Sequence, residues 1–356
     1  MSFLLAFLGF ALLIILHELG HFFAAKAVGM RVERFSLFFP PLVARHKRGE
    51  TEYAIGAIPL GGYVKITGMN PAEEIPPEVA HRAYYRQPVW KRIVVISAGP
   101  AVNIVLAFLI LWVLVWSNGV NEPQASISRV SAPPALGQLA PGDRIVSVDG
   151  VSGDFERLRE QISSHKCAGE QVDGCEAATP ATIVVSLRGQ ERTVELKPVY
   201  DAGQDDMFIG FEVPTKPRAV GPGESAELSV DQMWFFTSKT VETIAGIFEA
   251  DKRDDISGVV GSYEVTRQTI ELSTERALYL LAIISLSLGV INLFPFLPLD
   301  GGHIFWALAE KVRGRAIPFS VMERAGFVGF VLVIALFMIG LTNDVGRLTG
   351  EGFGVR

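Results

Sequence analysis

Cysteine is scarce in this 356-residue chain, which contains only Cys167 and Cys175. The two lie in a polar, glycine-containing stretch, where an oxidising compartment would allow a disulfide and a reducing one would leave two free thiols. The chain also lacks internal repeats and low-complexity tracts, which argues against a repeat architecture. Its net charge of −6 provides no basic excess for binding nucleic acid.

Basic residues are absent before the first apolar run, which begins at Phe3. A secretory signal peptide has a positively charged start and a small-residue cleavage site, whereas this run continues into His17 and Glu18. We therefore expect the run to stay in the protein as a membrane span rather than to be cleaved.

Apolar sequence is abundant, since 49% of the residues are hydrophobic, and it is clustered. A transmembrane helix needs about 20 apolar residues. Four stretches reach or approach that length: Phe3–Val28, Ile93–Trp116, Ala277–Leu299 and the shorter Ala325–Leu341. The sequence thus predicts an α-helical polytopic membrane protein with about four transmembrane helices.

The segments between these spans differ in charge. Residues 22–92 contain 11 Lys and Arg against 6 Asp and Glu, while residues 118–274 contain 14 against 25. Basic loops stay in the cytoplasm. We therefore expect residues 22–92 inside, and the N-terminus, residues 118–274 and the C-terminus outside. The two cysteines then lie on the outer side, away from the inner end of the first span.

The inner segment contains a strand pattern at Glu50–Ile66, with glycines at 56, 61 and 62 and a proline at 59. This pattern predicts short strands and a tight turn. It is either a sheet edge that could accept an extended peptide or an ordinary juxtamembrane hairpin. Residues 70–88, which hold several prolines and glutamates, are expected to form a polar surface loop.

The outer segment, residues 121–215, is predicted to be a separate α+β domain. Strands are expected at Ser126–Val130, Arg144–Val148, Ile183–Leu187 and Thr193–Pro198, and a helix at Phe155–Ser163. Residues 136–150 resemble the GLxxGDxIxxVxG segment of bacterial PDZ domains, which bind extended peptide ends by strand addition. A generic small β-domain is the alternative.

Residues 216–274 read as an amphipathic juxtamembrane segment, followed by residues 275–356 with the last two spans. Within the segment, Leu228–Phe248 places apolar residues at mostly helical spacing. Such a helix suits either the membrane interface or packing on the preceding domain.

The first span, within residues 1–117, carries His17-Glu18-Leu19-Gly20-His21, a HExxH pattern. Residues four apart share one face of a helix, so both imidazoles could bind one zinc ion beside a glutamate that takes a proton from bound water. Ionisable residues are costly in hydrocarbon and are usually functional there. The pattern predicts hydrolysis of peptide bonds at or within a bilayer.

A hydrolytic zinc site needs a third protein ligand. Asp300 follows Pro295 and Pro298, which break the end of the third span, and it should reach the membrane depth of His17 and His21. His303 is a rival ligand, and a helix-end turn is an alternative role for Asp300 itself. The shared depth favours the metal role over the turn, and Asp300 is preferred to His303 partly through the family resemblance given next.

These residues together resemble the site-2 protease (M50) family of intramembrane zinc metalloproteases, in its bacterial regulator-of-sigma-factor protease branch. The matching pieces are HELGH at 17–21, SAGPAVN at 97–103, the PDZ-like domain, and the segment Asn292-x-x-Pro295-x-x-x-Leu299-Asp300-Gly301. The resemblance implies Zn²⁺ held by His17, His21 and Asp300, with Glu18 as general base. It further implies a substrate-binding role for Asn292 and for a membrane-associated β-loop containing Gly61, Gly62 and Tyr63.

The chain departs from some family members in two places. It has room for a single PDZ domain, and Ile256–Gly261 lacks the proline expected there. The first departure puts any two-domain size filter in doubt, while the second should alter only a local turn. Asn103 has two possible roles, as an auxiliary catalytic residue or as an amide that bonds across helices.

The resemblance implies an endopeptidase of the bacterial inner membrane that cuts single-span membrane proteins, typically after a first extracytoplasmic cut. Anti-sigma factors or remnant signal peptides are the implied substrates, with membrane lipid around the spans and a peptide at the PDZ-like groove. The rivals are a PDZ adaptor with a vestigial zinc site and a metal transporter. An intact Glu18 argues against the adaptor, and the few polar residues in the outer halves of the spans argue against the transporter.

Overall fold

The computed structural model describes residues 2–70, 73–203, 205–246, 258–315 and 317–350. In that part of the chain the helices are α1 (Ser2–Ala27), α2 (Val89–Asn118), α3 (Phe155–Ser163), α4 (Pro222–Ala245), α5 (Val259–Leu272), α6 (Thr274–Asn292), α7 (Asp300–Arg313) and α8 (Phe319–Thr349). The strands are β1 (Val32–Arg48), β2 (Thr51–Ile66), β3 (Val120–Pro123), β4 (Arg129–Val130), β5 (Arg144–Val148), β6 (Ala181–Leu187), β7 (Gln190–Leu196), β8 (Val199–Asp201), β9 (Asp206–Phe208), β10 (Phe211–Glu212) and β11 (Thr215–Arg218). The chain divides into two units, the first made of residues 1–116 with 221–356 and the second of residues 117–220.

Four helices of the first unit, among the described residues, are long and apolar enough to cross a membrane: α1, α2, α6 and α8. A helix pairs its backbone N–H and C=O groups internally, as hydrocarbon surroundings require. A helix that is also apolar around its whole circumference can therefore lie in a membrane. The prediction of four spans is confirmed. The third span is shorter than predicted, because α6 ends at Asn292 and the turn of residues 293–299 separates it from α7.

Strands β1 and β2 form a long, irregular hairpin. Residues 34–37 have Cα partners on both sides, in 52–55 and in 62–65, and residues 44–48 pair with 51–55. The hairpin therefore folds into a sheet whose two outer segments are 44–48 and 62–66. The sequence predicted strands in Glu50–Ile66 but not β1, because prolines at 40 and 41 and a run of basic residues obscure its alternation.

An apolar cluster holds the hairpin against the ends of α1 and α2. Its buried members are Phe22, Ala25, Met30, Val32, Phe35, Ile66, Tyr84, Val95 and Ile96. Tyr84 is only 2% exposed and lies in the short 3-10 turn Tyr84–Arg86, next to Pro77–Arg82. The predicted polar surface loop over residues 70–88 is therefore wrong in its second half, because aromatic burial outweighs the polar composition.

Helices α4 and α5 pack within the first unit. Thr240 Oγ1 on α4 lies 3.5 Å from Ser287 Oγ on α6, and Tyr263 on α5 donates to the Phe3 carbonyl over 2.9 Å. The amphipathic helix predicted at Leu228–Phe248 corresponds to α4, which ends at Ala245. Residues 247 and 248, the end of the predicted helix, lie outside the described residues. Its contacts with α6 make it part of the helical bundle.

Residues 256 and 257 of the stretch that lacks the expected proline also lie outside the described residues. The stretch continues into the start of α5, where Asp344 of α8 accepts hydrogen bonds from the backbone N–H groups of Gly258 (3.0 Å) and Gly261 (2.7 Å). A carboxylate at a helix N-terminus satisfies N–H groups that have no partner within the helix.

The second unit contains several small sheets around one helix. Strands β5, β6 and β7 form an antiparallel sheet, while β3 pairs with β11, β4 with β10 and β8 with β9. Its apolar core includes Ile145, Val148, Leu158, Ile183 and Val185. The bounds predicted for α3 and β5 agree with the structure, whereas β3, β8, β9, β10 and β11 were not predicted because they are two to four residues long.

Cys167 and Cys175 form a disulfide in the second unit, with their Cα atoms 5.7 Å apart. Both pack against a small apolar cluster of Ala177, Tyr200 and Met207. Of the two states that the sequence allowed, the structure therefore has the disulfide.

Candidate metal centre and its cavity

Three side chains from two helices converge at one point. His17 Nε2 and His21 Nε2 of α1 lie 3.3 and 3.2 Å from Asp300 Oδ2, the first residue of α7, and 3.3 Å from each other. Both histidines are 7% exposed. The three ligand atoms are thus arranged as a nearly equilateral, buried triangle.

The separations of these atoms suit a tetrahedral zinc ion. Ligand bonds of about 2.0–2.1 Å place neighbouring tetrahedral ligands about 3.3 Å apart. Asp300 Oδ2 is buried without a hydrogen-bond donor among the described residues. Two imidazole nitrogens and a carboxylate oxygen are ordinary zinc ligands, so the residues present fit the metal.

Backbone contacts orient one of the histidines. His21 Nδ1 lies 2.8 Å from the Val95 carbonyl oxygen on α2, which can only accept, so Nδ1 carries the proton and Nε2 keeps its lone pair. His17 Nδ1, in contrast, is buried without a partner in the described part of the chain. Helix α2 therefore takes part in the site although it supplies none of the three ligand atoms.

Asp300 is brought to the histidines by the turn between α6 and α7. A Cβ atom at Gly301 would overlap the backbone of Leu293 and Phe294, and one at Gly302 would overlap that of Leu297. Only glycine permits so close an approach of the two chain segments. The two glycines thereby fold the end of the third span back on itself, with Asp300 directed at α1.

A partly buried ion pair ties α7 to α2 beyond this turn. The guanidinium of Arg92, 3% exposed, donates to both carboxylate oxygens of Glu310 over 3.0 and 2.8 Å. A bidentate pair fixes direction as well as distance. It therefore restrains the helix whose first residue is Asp300, a contact that the sequence patterns did not reveal.

Glu18 lies beside the ligands and against the hairpin. A Cβ atom at Gly62 would approach within 2.8 Å of Glu18 Cγ and 2.9 Å of the Ser36 carbonyl oxygen. The outer segment 62–66 of the hairpin sheet therefore runs directly past the Glu18 side chain. A substrate backbone added to this edge would pass the same carboxylate.

Glycines on α1 and α2 close the site from the other side. A Cβ atom at Gly99 would overlap the imidazole of His21, and one at Gly20 would lie 2.6 Å from the Ala98 carbonyl oxygen. Gly99 belongs to the SAGPAVN segment, but no pattern in the sequence predicts its contact with His21. A glycine and an alanine side by side in an apolar helix are the available signal for such close packing.

A cavity of about 1300 Å³ opens onto the metal centre. The predicted site residues that line it are His17, Glu18, His21, Gly61, Gly62, Tyr63, Asn292, Asp300 and His303. His303 lies one helical turn beyond Asp300 and lines the cavity, but it is not part of the three-atom cluster. The structure thus brings together both parts of the predicted site, the ligands with their base and the substrate-binding residues.

Asn103 lies apart from the described residues that line the cavity. This residue of α2 is fully buried at the contact with α6, where its backbone carbonyl oxygen accepts a hydrogen bond from Ser285 Oγ over 2.9 Å. Neither polar atom of its side chain has a hydrogen-bond partner among the described residues. Among the described residues the amide therefore does not make the predicted bond across helices, and the auxiliary catalytic role stays a prediction.

Comparison with known proteins places the chain among metallopeptidases. A model of peptidase family M50 matches residues 5–336. The chain is 31% identical to a protein of Nostoc sp. strain PCC 7120 that is provisionally named a zinc metalloprotease, over 99% of this chain and 98% of that protein. It is 28% identical to the regulator of sigma-E protease RseP of Escherichia coli K12, over 94% of this chain and 96% of the relative. A zinc metalloprotease of Campylobacter jejuni, also provisionally named, is 29% identical over 98% of this chain and 95% of the relative.

Proposed function

Because this chain belongs to peptidase family M50 and is a zinc metalloprotease with four apolar helices, we propose that it cuts substrates inside the bilayer. In this proposal His17, His21 and Asp300 hold Zn²⁺, and Glu18 is the general base. The convergence of the three ligand atoms, from α1 and from the turn after α6, is the observation that carries it. Helices α1 and α6 are each long and apolar enough to span a membrane.

The reaction divides between the metal and the side chains. Zinc, when bound, supplies a Lewis acid that polarises the scissile carbonyl and lowers the pKa of water towards about 7. Glu18 takes the proton of the attacking water and later gives it to the leaving amine. Gly62, packed against the Glu18 side chain, and Val95, bonded to His21, keep the base and one ligand in place.

A transmembrane substrate must unwind before it can be cut, since its carbonyls are bonded within its own helix. The outer segment 62–66 offers strand pairing to an unwound segment. Gly61 and Gly62 have no side chains to keep a second backbone away, and Tyr63 and Asn292 line the same cavity. We assign these four residues to binding the extended substrate.

The substrates proposed are single-span membrane proteins, either anti-sigma factors or remnant signal peptides, cut after a first extracytoplasmic cleavage. The likeness to the Escherichia coli regulator of sigma-E protease over nearly the whole chain supports a place in regulated intramembrane proteolysis. The chain is a multi-pass membrane protein, and the same likeness supports the bacterial inner membrane.

For the orientation, the charge difference between residues 22–92 and 118–274 supports a metal centre near the cytoplasmic side. The N-terminus, the C-terminus and residues 121–215 are then extracytoplasmic. We propose that residues 121–215 act as a PDZ-like domain that binds a peptide end, on the basis of the segment at 136–150. Residues 1–117 and 275–356 would carry the catalytic spans, and residues 216–274 would be the juxtamembrane part.

A comparison of the native protein with Glu18→Gln tests the proposal. The purified full chain is incubated with a tagged single-span substrate, and zinc per chain is measured in parallel. Loss of the base should lower the cleavage rate by about 10²–10⁴, while zinc stays bound because the three ligands are intact. Glu78→Gln, at an exposed position away from the cavity, is the matched control and should cleave normally.

Equal cleavage by the native protein and Glu18→Gln would remove Glu18 as the base and with it the proposed mechanism. Binding of the substrate without cleavage by the zinc-loaded native protein would favour the adaptor. Uptake of zinc into vesicles without any cleavage would favour the transporter.

A further inference from the structure

Two groups of basic side chains around the hairpin differ in their partners. The first group is paired with acids within 3 Å, in the pairs Arg34–Glu52, Lys65–Glu33, Arg82–Glu50 and Arg92–Glu310. The Arg82 guanidinium, for example, holds the pKa of Glu50 below its usual value. The second group is Arg45, Lys47 and Arg48, which make no ion pair with any acid in the described part of the chain.

The second group occupies one outer segment of the hairpin sheet, residues 44–48, which we call the basic edge. Every residue of the basic edge is exposed, and its segment pairs only with 51–55. Side chains alternate between the faces of a strand, so Arg45 and Lys47 share one face and Arg48 lies on the other. Val43, which is 73% exposed, precedes them at the irregularity between Leu42 and Ala44. The exposed surface thus passes from apolar to cationic along this part of the chain.

The apolar end of the hairpin lies deep beside a spanning helix. The Phe38 ring is 6.3 Å from that of Phe7, which precedes His17 on α1 by ten residues, or about 15 Å of helix. Nearby Phe39 and Ile58 expose 40% and 42% of their surface. These exposed apolar side chains suit a hydrocarbon environment better than water.

The cationic end of the hairpin lies near the end of the same helix. Arg48 pairs with Thr51, whose hydroxyl donates to the Val32 carbonyl over 2.9 Å, and Val32 follows the last residue of α1 by five positions. A strand rises about 3.3 Å per residue. The step from Val43 to Arg48 therefore covers about 17 Å, which is about half the thickness of the hydrocarbon core.

We propose that the basic edge binds the headgroups of anionic phospholipids. Its three cations make no ion pair with a described acid, its long side chains can reach along the membrane surface, and the exposed Val43 just before them suits acyl chains. An acidic peptide would complement the charge but not the exposed valine or the apolar end of the hairpin. The charge and the apolar surface together therefore favour lipid.

Such binding would hold the hairpin by the side away from the metal centre. Segments 51–55 and 34–37 separate the basic edge from the outer segment 62–66 beside Glu18. At about 4.8 Å per strand, that distance is about 14 Å. Lipid on one edge and substrate on the other would thus engage opposite sides of one sheet.

Energy transfer from the hairpin to lipids measures this binding directly. The full chain carries a donor dye on Ala44→Cys and is placed in phosphatidylcholine nanodiscs. The dye reacts with the new cysteine because Cys167 and Cys175 are bonded to each other. Trace acceptor lipid, labelled on the acyl chain, is either phosphatidylglycerol or phosphatidylcholine. The ratio of the two transfer signals reports the local preference for the anionic headgroup.

Four forms of the labelled protein are compared: the native edge, Arg45→Gln/Lys47→Gln/Arg48→Gln, the charge-keeping Arg45→Lys/Lys47→Arg/Arg48→Lys, and the control Arg157→Gln/Arg188→Gln/Lys216→Gln. The control removes three exposed basic residues of the second unit. Each cation at an anionic surface changes the partition about fivefold, so three change it about a hundredfold. Among the variants, only the one with three Gln substitutions in the basic edge should lose the preference for phosphatidylglycerol, by up to that factor. The native form should lose it at high salt.

A native protein that shows no preference for phosphatidylglycerol would overturn the proposal, as would an unchanged preference after the three Gln substitutions. The single substitutions are measured as well, so that a poorly folded triple variant, recognised by low zinc per chain, does not decide the matter. Loss of the preference in inorganic phosphate, but not in chloride of equal ionic strength, would show that the edge recognises the phosphate group of the lipid. An effect of the Gln substitutions confined to the cleavage of substrates with acidic flanks, with no lipid preference in the native protein, would assign the edge to peptide and contradict lipid binding.

Discussion

The two units satisfy their buried polar groups differently. In the second unit, Asp149 accepts from the Thr182 N–H over 2.7 Å and lies 2.8 Å from His165 Nε2, although Asp143 keeps one oxygen without a partner. In the first unit, Asp300 Oδ2 and His17 Nδ1 are buried without a donor or acceptor among the described residues. An unsatisfied buried polar group costs about 1–3 kcal/mol. The comparison teaches that protein groups partner the buried carboxylate of Asp149 in the second unit, while the cluster in the first unit leaves buried atoms for the proposed ion.

Removal of one ligand should affect the first unit most. In Asp300→Asn the amide is a much poorer zinc ligand than the carboxylate, so zinc should fall well below one per chain and cleavage should be lost. Metal analysis of the purified variant and the cleavage assay measure both. The disulfide-containing second unit should keep its native hydrogen exchange, and a loss of protection there would contradict the independence of the units.

A methyl group at Gly99 should have the next largest effect. In Gly99→Ala the new Cβ meets the His21 imidazole, which must move. Changes in the groups that orient a metal ligand lower metal affinity about 10–100-fold. Competition with a chelator measures the affinity, and Gly346→Ala, whose Cβ would meet nothing within 4 Å, is the matched control. Equal zinc affinity in both variants would show that the close approach is unimportant.

A cavity in the core of the second unit should leave zinc untouched. Leu158 is fully buried, and Leu158→Ala should lower the free energy of unfolding of that unit by about 2–5 kcal/mol. Hydrogen exchange in the full chain measures the loss, and Val172→Ala, at a 56% exposed position of the same unit, should change little. A fall in zinc per chain would show that the two units are coupled.

Acid should have the smallest effect, and again on the second unit. Burial raises the pKa of Asp149, but hydrogen bonds from Thr182 and His165 outweigh it and hold the pKa below its ordinary value. The carboxylate therefore stabilises the fold above its unfolded pKa of about 3.9, and the contribution is lost as the pH falls through the folded pKa. Asp149→Asn should remove this part of the acid sensitivity. An unchanged pH profile of hydrogen exchange would contradict it.

Much of the metal centre could be predicted because its residues follow local rules. The spacing of His17, Glu18 and His21 fixes their common helix face, and the shared membrane depth selects Asp300. Four spans could be predicted from length and composition alone. The bounds of α3 and β5 also agree, because their apolar periodicity is regular.

The remaining features depend on packing between distant segments. Nothing local to Gly99 or Val95 indicates that His21 lies against both, since the sequence does not tell which faces of α1 and α2 meet. Strand β1 was missed because the prolines at 40 and 41 hide its pattern, and Tyr84 because a polar stretch surrounds it. In each case the tertiary environment outweighed the local preference.

The position of Asp300 on α7 has a consequence for biosynthesis. His17 and His21 enter the membrane with the first span, whereas their partner is translated 283 residues after His17. At about 5–20 residues per second, about 15–60 s separate the two events. During that interval the nascent chain carries the proposed base and two of the proposed ligands without the third. Under the proposed ligand assignment, the protease is thus inactive until its third span has been synthesised and its turn has folded.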